Sequence, residues 1–371
     1  VIGVLVAILT AYILLVIALL VGWVRVRRQP LPPRTATPPA VSVIVAFRNE
    51  APNLPNLVRD LAGSAFPADR FEVILVDDHS EDGSPEIVRE LAQKYSNVKL
   101  LVLSSDLTGK KSALQFGIER ARFGIIATTD ADCTLSKNWL TCVASYFEEE
   151  RTKLLLGPVK LSFDGTFFGQ LQVLEFVSVA GTTASTVGLG HPVMANGANF
   201  AFRKEVFEEV GGYEDNIAIA SGDDEFLMRK IYRRYPVGIK YLNYYEAAVT
   251  TAPQPNLKSL VYQRMRWAGK WRHNPDGVAR SLAAFIFFAT LSFLTLLVVN
   301  LRSPGWSSAI LGMKVLIEGV FIAWMARFLD RPFNMPAFLI IQLFYPFYVV
   351  IIGISSAFLP YHWKGRRYSQ G

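Results

Sequence analysis

The chain has 371 residues, 51% of them hydrophobic, with 38 Lys and Arg against 31 Asp and Glu and a formal net charge of +7. Such hydrophobic content is too high for one ordinary soluble domain, and the apolar residues gather at the two ends, which reads as membrane segments around a globular middle. The basic excess does not point to nucleic acid: Arg25, Arg27, Arg28 and Lys364, Arg366, Arg367 flank apolar runs, where lipid headgroups and topology account for them, and no motif with groove-reading geometry occurs.

Val1 to Val24 carries no charge and is long enough to cross about 30 Å of hydrocarbon. Neither a basic leader nor a small-residue cleavage site accompanies it, so residues 1–24 are expected to be a retained transmembrane anchor. Positive-inside bias puts Arg25, Arg27 and Arg28 in the cytoplasm. Residues 25–40 form a basic linker with Pro30, Pro32, Pro33, Pro38 and Pro39, expected to be an extended spacer off the bilayer.

In the middle, residues 41–276, strand and helix signals alternate. Strands are expected at Val41–Ala46, Phe71–Val76, Val98–Leu103 and Gly124–Thr128. Helices are expected near 52–64, 84–95, 111–122 and 225–235. Apolar strands separated by helices predict an α/β fold with a doubly wound, mostly parallel sheet, in which ligands sit at the carboxyl ends of strands. Residues 277–360 are expected to be membrane helices, with spans near Ser281–Asn300, Ser307–Leu329 and Pro336–Phe358. Lys314 and Glu318 in the middle span have i,i+4 spacing and are expected to neutralise each other. Three full spans would leave the basic tail, 361–371, outside, so a re-entrant or interfacial segment is the alternative.

Four acidic or mixed motifs carry chemistry. Asp130-Ala131-Asp132 ends an apolar strand with two carboxylates, and Mg²⁺ or Mn²⁺ on a diphosphate needs only one or two from the protein. Asp77-Asp78 either accepts hydrogen bonds from a base or ribose or caps the following turn. Asp223, Asp224 and Glu225 exceed what one helix cap needs and can supply a base for an acceptor hydroxyl. Gln263, Arg266 and Trp267 fall within one helical turn, where Arg suits a diphosphate and Trp a sugar ring. The bland alternative for that segment is an amphipathic interfacial helix with Tyr262, Arg264, Trp267, Lys270, Trp271 and Arg272 at the headgroups. No G-x-G-x-x-G follows the first strand, and Gly109-Lys110-Lys111-Ser112 lacks the spacing of a P-loop, although Lys110 can reach a phosphate. Cys133 and Cys142 make neither a disulfide framework nor a zinc site, and they read as small core residues.

The ordered set of motifs resembles membrane-anchored family 2 glycosyltransferases of the GT-A type, over about Val41 to Trp271. The resemblance implies that Ala46, Arg48 and Glu50, with Asp77 and Asp78, lie at nucleotide-binding strand ends. It further implies that Lys110, Asp130 and Asp132 serve the donor and its metal, Mg²⁺ or Mn²⁺. Asn196-Gly197-Ala198-Asn199 is similar to the acceptor-side loop, Asp224 to the general base, and Gln263, Arg266 and Trp267 to the Gln-x-x-Arg-Trp motif. His79 departs from the pattern by standing where Gly is common. The implied activity is metal-dependent, inverting transfer from a nucleotide-diphosphate sugar, a UDP-sugar foremost, to a lipid, glycolipid or growing glycan. The implied location is the bacterial inner membrane, with the catalytic domain cytoplasmic. A processive polysaccharide synthase subunit and an inactive membrane scaffold are the alternatives; few spans favour single transfer, and intact carboxylates argue against the scaffold.

Overall fold

The computed structural model describes residues 2–35, 37–217, 222–269, 276–303, 305 and 307–358, and the backbone of 361–363 and 366–368. In chain order the first elements are α1 (Ile2–Arg28), β1 (Val41–Phe47), α2 (Leu54–Ala62), β2 (Phe71–Asp77), α3 (Ser84–Lys94), β3 (Val98–Val102), α4 (Lys110–Glu119) and β4 (Ile125–Thr128). Next come α5 (Trp139–Tyr146), β5 (Leu154–Leu156), β6 (Val159–Leu161), α6 (Phe167–Gly188), β7 (Phe200–Arg203), α7 (Lys204–Glu209), α8 (Asp223–Arg234), β8 (Ile239–Tyr241) and β9 (Val249–Thr251). The chain continues with α9 (Leu257–Gly269), α10 (Gly277–Arg302), α11 (Ser307–Phe328), α12 (Met335–Phe358), β10 (Tyr361–Trp363) and β11 (Arg366–Tyr368). It divides into two compact units: residues 26–162 with 186–252, and residues 1–25 with 163–185 and 253–371.

The first unit, 26–162 with 186–252, is built on a seven-stranded sheet in the order β3-β2-β1-β4-β7-β5-β8. β1 pairs in parallel with β2 on one side and β4 on the other, and β1, β2 and β4 are buried along almost their whole length. Burial on both faces explains their continuous Val, Ile and Leu runs, each such side chain contributing about 1.5–3 kcal/mol. β7 runs antiparallel to β4, with Phe200 opposite Thr128. The start of β7 therefore meets the carboxyl end of β4, and residues about seventy positions apart arrive at one sheet edge.

The Pro-rich segment is not a free spacer. Tyr244 Oη donates to the Pro32 carbonyl at 2.6 Å, Arg34 pairs with Glu246 at 3.0 Å, and Thr35 Oγ1 donates to Glu148 at 2.6 Å. An extended chain exposes its carbonyls and side chains, and here the first unit uses them. Residues 25–28 also continue α1 rather than opening the linker, and Asn243 Nδ2 donates to the Val26 carbonyl near that helix end.

The second unit gathers α10, α11 and α12 with α9 and most of α1 and α6. Residues 163–185 and 253–276 fall in this unit, whereas the expected domain runs undivided over 41–276. Among the described residues four helices, α1, α10, α11 and α12, are long and apolar enough to cross a membrane. Lys314 and Glu318 do pair, at 3.0 Å, but not alone. Gln342 Nε2 of α12 and Tyr12 Oη of α1 also donate to Glu318, at 2.7 and 2.6 Å, while Lys314 donates to Gln342. In an apolar bundle such a fully partnered network avoids the cost of a lone charge.

Candidate active site

Side chains from three parts of the first unit meet at one ammonium group. Lys110 opens α4, and its Nζ lies 2.7 Å from Asp130 Oδ1 and 3.3 Å from Asp223 Oδ2. Burial pulls this ammonium down, but the carboxylates of Asp130, Asp223 and Asp224 outweigh that and hold its pKa well above the usual lysine value. Gly222 leads into α8 with φ 79°, a left-handed turn suited to glycine, and this sets Asp223 and Asp224 in the first helical turn.

Asp224 uses both oxygens: Oδ2 accepts from the Gly197 backbone N–H at 2.8 Å and Oδ1 from that of Glu225 at 2.7 Å. The Gly197 carbonyl in turn accepts from Thr128 Oγ1 at 2.8 Å. A β-carbon on Gly197 would lie 3.1 Å from Asp223 Oδ2 and 3.4 Å from Lys110 Nζ, so a side chain there would press on the cluster by a few tenths of an ångström. Asn199, in the same loop, instead serves the core. Its Nδ2 donates to the Pro158 and Ala247 carbonyls, and its Oδ1 accepts from Trp139 Nε1.

Asp130, Asp132 and Cys133 offer ligand atoms within 4.8 Å of one another. Burial first, then the charges of Asp130 and Asp132, push the Cys133 thiol well above its ordinary pKa, and its soft sulfur is a poor partner for a hard cation. The remaining donor set, two carboxylates with Asp132 exposed, fits a hard divalent cation.

At the neighbouring strand ends, Asp77 Oδ1 accepts from the Ser80 N–H at 3.1 Å, and Asp78 Oδ1 from the Gly109 N–H at 3.0 Å. Both carboxylates thus organise the turns that follow β2 and precede α4. Arg48 donates to the Asp78 carbonyl at 2.9 Å and pairs with Glu81 at 3.1 Å, lacing the end of β1 to that of β2. Ala46 lies within β1 opposite Val76. Glu50 is buried, with Oε2 accepting from Asn53 Nδ2 at 2.6 Å, so its carboxylate serves the start of α2.

Gln263, Arg266 and Trp267 lie on α9 and belong to the second unit. In that unit Arg264, which the interfacial alternative would put at the headgroups, is buried, and its Nε and Nη2 pair with Glu175 of α6 at 3.0 and 2.7 Å. Tyr348 of α12 donates to the same carboxylate at 3.1 Å. The Arg264 guanidinium also covers the Trp267 ring at 4.2 Å and bonds Gln263 Oε1, while Phe176 approaches Trp267 with centroids 6.2 Å apart. The companion residues Lys270, Trp271 and Arg272, like the tail residue Lys364, lie outside the described residues, as do the side chains of Arg366 and Arg367.

Two participants escaped sequence reasoning. Lys111 is buried beside its namesake, donates to the Asn216 carbonyl at 2.7 Å and lies 4.9 Å over the Phe226 ring. Glu175 is a lone acid in an apolar helix, and its isolation there was the available signal.

Residues 42–211 match the family model for glycosyl transferase family 2. They form a family 2 glycosyltransferase domain. Glycosyltransferase AglE of Haloferax volcanii is 30% identical over 203 residues, which are 53% of this chain and 62% of that protein. The probable glycosyltransferase YdaM of Bacillus subtilis is 27% identical over 264 residues, 67% of this chain and 58% of its own. Beta-monoglucosyldiacylglycerol synthase of Trichormus variabilis is 28% identical over 237 residues, 62% and 48% respectively. The chain therefore spans about half to three-fifths of the length of these curated relatives. Among solved structures, the mannosyltransferase PcManGT of Pyrobaculum calidifontis, in complex with GDP-Man and Mn²⁺, superposes with a TM-score of 0.63 at 20% identity. That match covers 96% of this chain and 99% of the other, so the family 2 domain has a GT-A-like fold between N- and C-terminal apolar helices.

Proposed function

We propose that this chain is an inverting hexosyltransferase that moves a sugar from a nucleotide diphosphate, a UDP-sugar foremost, to a lipid or glycolipid hydroxyl at the membrane. One observation carries the reading: Lys110 bridges Asp130 and Asp223, so the strand-end acids and the α8 acids face a single small volume. Metal-binding and proton-accepting carboxylates must stand within one sugar ring of each other for such a transfer. The named activity of beta-monoglucosyldiacylglycerol synthase and the four apolar helices support a lipid acceptor and a membrane setting. The flanking Arg25, Arg27 and Arg28 support a cytoplasmic catalytic domain in a bacterial inner membrane.

In this mechanism Asp130 and Asp132 would hold Mg²⁺ or Mn²⁺, a choice supported by their two carboxylates and by the Mn²⁺ of PcManGT. The cation supplies charge neutralisation at the diphosphate leaving group. Lys110 brings a second positive charge to the phosphates. Asp77, Asp78, Arg48 and the backbone near Ala46 shape the nucleoside side, with Glu50 supporting the loop. Asp224, oriented by two backbone N–H groups, keeps lone pairs for the acceptor proton, which moves late, once the attacking oxygen has become acidic. Asp223 steadies Lys110, while Gln263, Arg266 and Trp267 serve the acceptor and the diphosphate.

The test is a scan of nucleotide sugars with the full chain in lipid nanodiscs containing diacylglycerol, polyprenyl phosphate and glycolipid acceptors. A β-linked glycolipid product from an α-linked donor, absent in Asp224→Asn, is the expected result. Binding of donor without turnover across all acceptors would favour the scaffold reading instead.

A further inference from the structure

His79 follows the two acids at the end of β2 and has φ 58°, a left-handed backbone that costs a residue with a β-carbon steric strain and costs glycine none. Something must hold it there, and the imidazole shows what. Its Nε2 lies 2.9 Å from the Leu107 carbonyl, and against a carbonyl only the N–H form of that nitrogen makes a bond.

Leu107 belongs to the strap between β3 and α4, whose exposed residues 104–106 follow a backbone bond from the Leu103 N–H to the Asp77 carbonyl of β2 at 3.0 Å. Side chains supply its anchors. His79 takes the Leu107 carbonyl, Ser112 Oγ donates to the Thr108 carbonyl at 3.0 Å, and Asp78 Oδ1 takes the Gly109 N–H at 3.0 Å. The next residue is Lys110, with its Nζ on Asp130. Adjacent residues, Asp78 and His79, thus grip the strap immediately ahead of the ammonium that faces the acid cluster.

We propose that His79 is a positioning residue for the donor, latching the Leu107–Gly109 strap so that Lys110 meets the diphosphate already ordered. The proposal rests on the donor-binding reading above. A strap that must be ordered on binding lowers affinity, and a latch formed beforehand removes that loss. The strain at His79 is then the counterpart of a donor-binding gain, not of fold stability.

The test measures binding of UDP and of GDP, each with Mn²⁺, to the full chain in nanodiscs by calorimetry, alongside its melting temperature. His79→Gly relaxes the backbone and deletes the latch. It is expected to melt no lower than the parent and to bind nucleotide about fivefold more weakly, the worth of one neutral hydrogen bond. His79→Gln places an amide N–H near the position of Nε2 and is expected to recover most of the affinity. Equal affinity in parent and His79→Gly overturns the proposal. So does a lower melting temperature for His79→Gly, which would mark the latch as a fold contact. A parent that binds neither nucleotide overturns the donor reading itself, a failure visible before any variant is made.

Discussion

The carboxylate of Asp224 accepts a hydrogen bond at 2.8 Å from the backbone N–H of Gly197, a residue 27 positions upstream. The bond ties the first turn of α8 to the loop ahead of β7, and β7 lies against β4, the strand that ends two residues before Asp130. The acid proposed as base is thereby indexed to the acids proposed as metal ligands through backbone, which moves less than side chains do.

Asp224→Asn keeps that bond when its amide oxygen faces Gly197, gives up the bond from the Glu225 N–H, and removes the basic oxygen. Donor binding is expected to persist while transfer falls by about 10²–10⁴-fold. Single-turnover assays on Asp224→Asn and Asp223→Asn compare the two acids. A dead Asp223→Asn beside a fully active Asp224→Asn would move the base by one residue, and full activity in both would end the mechanism.

Asp132→Asn tests the metal. Two carboxylates facing a diphosphate repel it unless a cation intervenes, so the variant is expected to lose turnover and to bind nucleotide more weakly in Mn²⁺. Parental activity in excess chelator would contradict this.

Gly197→Ala probes the close approach. The added methyl would stand 3.1 Å from Asp223 Oδ2 and 3.4 Å from Lys110 Nζ, forcing the cluster apart by a few tenths of an ångström. Since reacting groups tolerate little displacement, kcat is expected to drop about tenfold or more with little change in melting temperature. Unchanged kcat would separate this cluster from the chemistry.

Lys111 gives a pH signature. Burial, with a smaller push from Lys230, lowers its ammonium to about 8, against the opposing pull of Asp223 and Asp224. The folded value lies below the ordinary lysine value, so between about pH 8 and 10 the unfolded chain binds the extra proton and native stability rises with pH. Thermal melts across that window are expected to show the rise in the parent and a flatter profile in Lys111→Met. Identical slopes would show that Lys111 does not titrate in this range.

Glu175 and Arg264 form a buried pair whose halves are worth little apart. Glu175→Gln leaves the guanidinium short of countercharge and is expected to lower the melting temperature, the cost of a broken buried pair being about 3–5 kcal/mol. Glu175→Gln with Arg264→Met removes both charges and is expected to melt above the single variant. A double variant no better than the single would argue that packing, not charge, ties α6 to α9.

Much of this was legible in the amino-acid sequence because it depends on neighbours in the chain. Runs such as Val41–Phe47 and Phe71–Asp77 declare buried strands, their last residues fall at the ligand edge of the sheet, and the lengths of the apolar helices follow from bilayer thickness. The ordered motifs Asp130-Ala131-Asp132, Gly222-Asp223-Asp224 and Gln263 to Trp267 carried the family with them. Tertiary structure alone decided the rest. Lys110 stands between Asp130 and Asp223 because β7 returns antiparallel beside β4, a pairing that no local periodicity encodes. The α6 helix, rich in Val, Thr and Gly, lacks a clear helical stripe, so its partners and its lone Glu175 emerged only with Arg264 in place. Likewise the Pro-rich segment reads as a free spacer until Tyr244 and Glu246 meet it, more than two hundred residues away. Periodicity and composition report which faces want burial, whereas the partner that satisfies each polar group is set by chain crossings far apart in sequence.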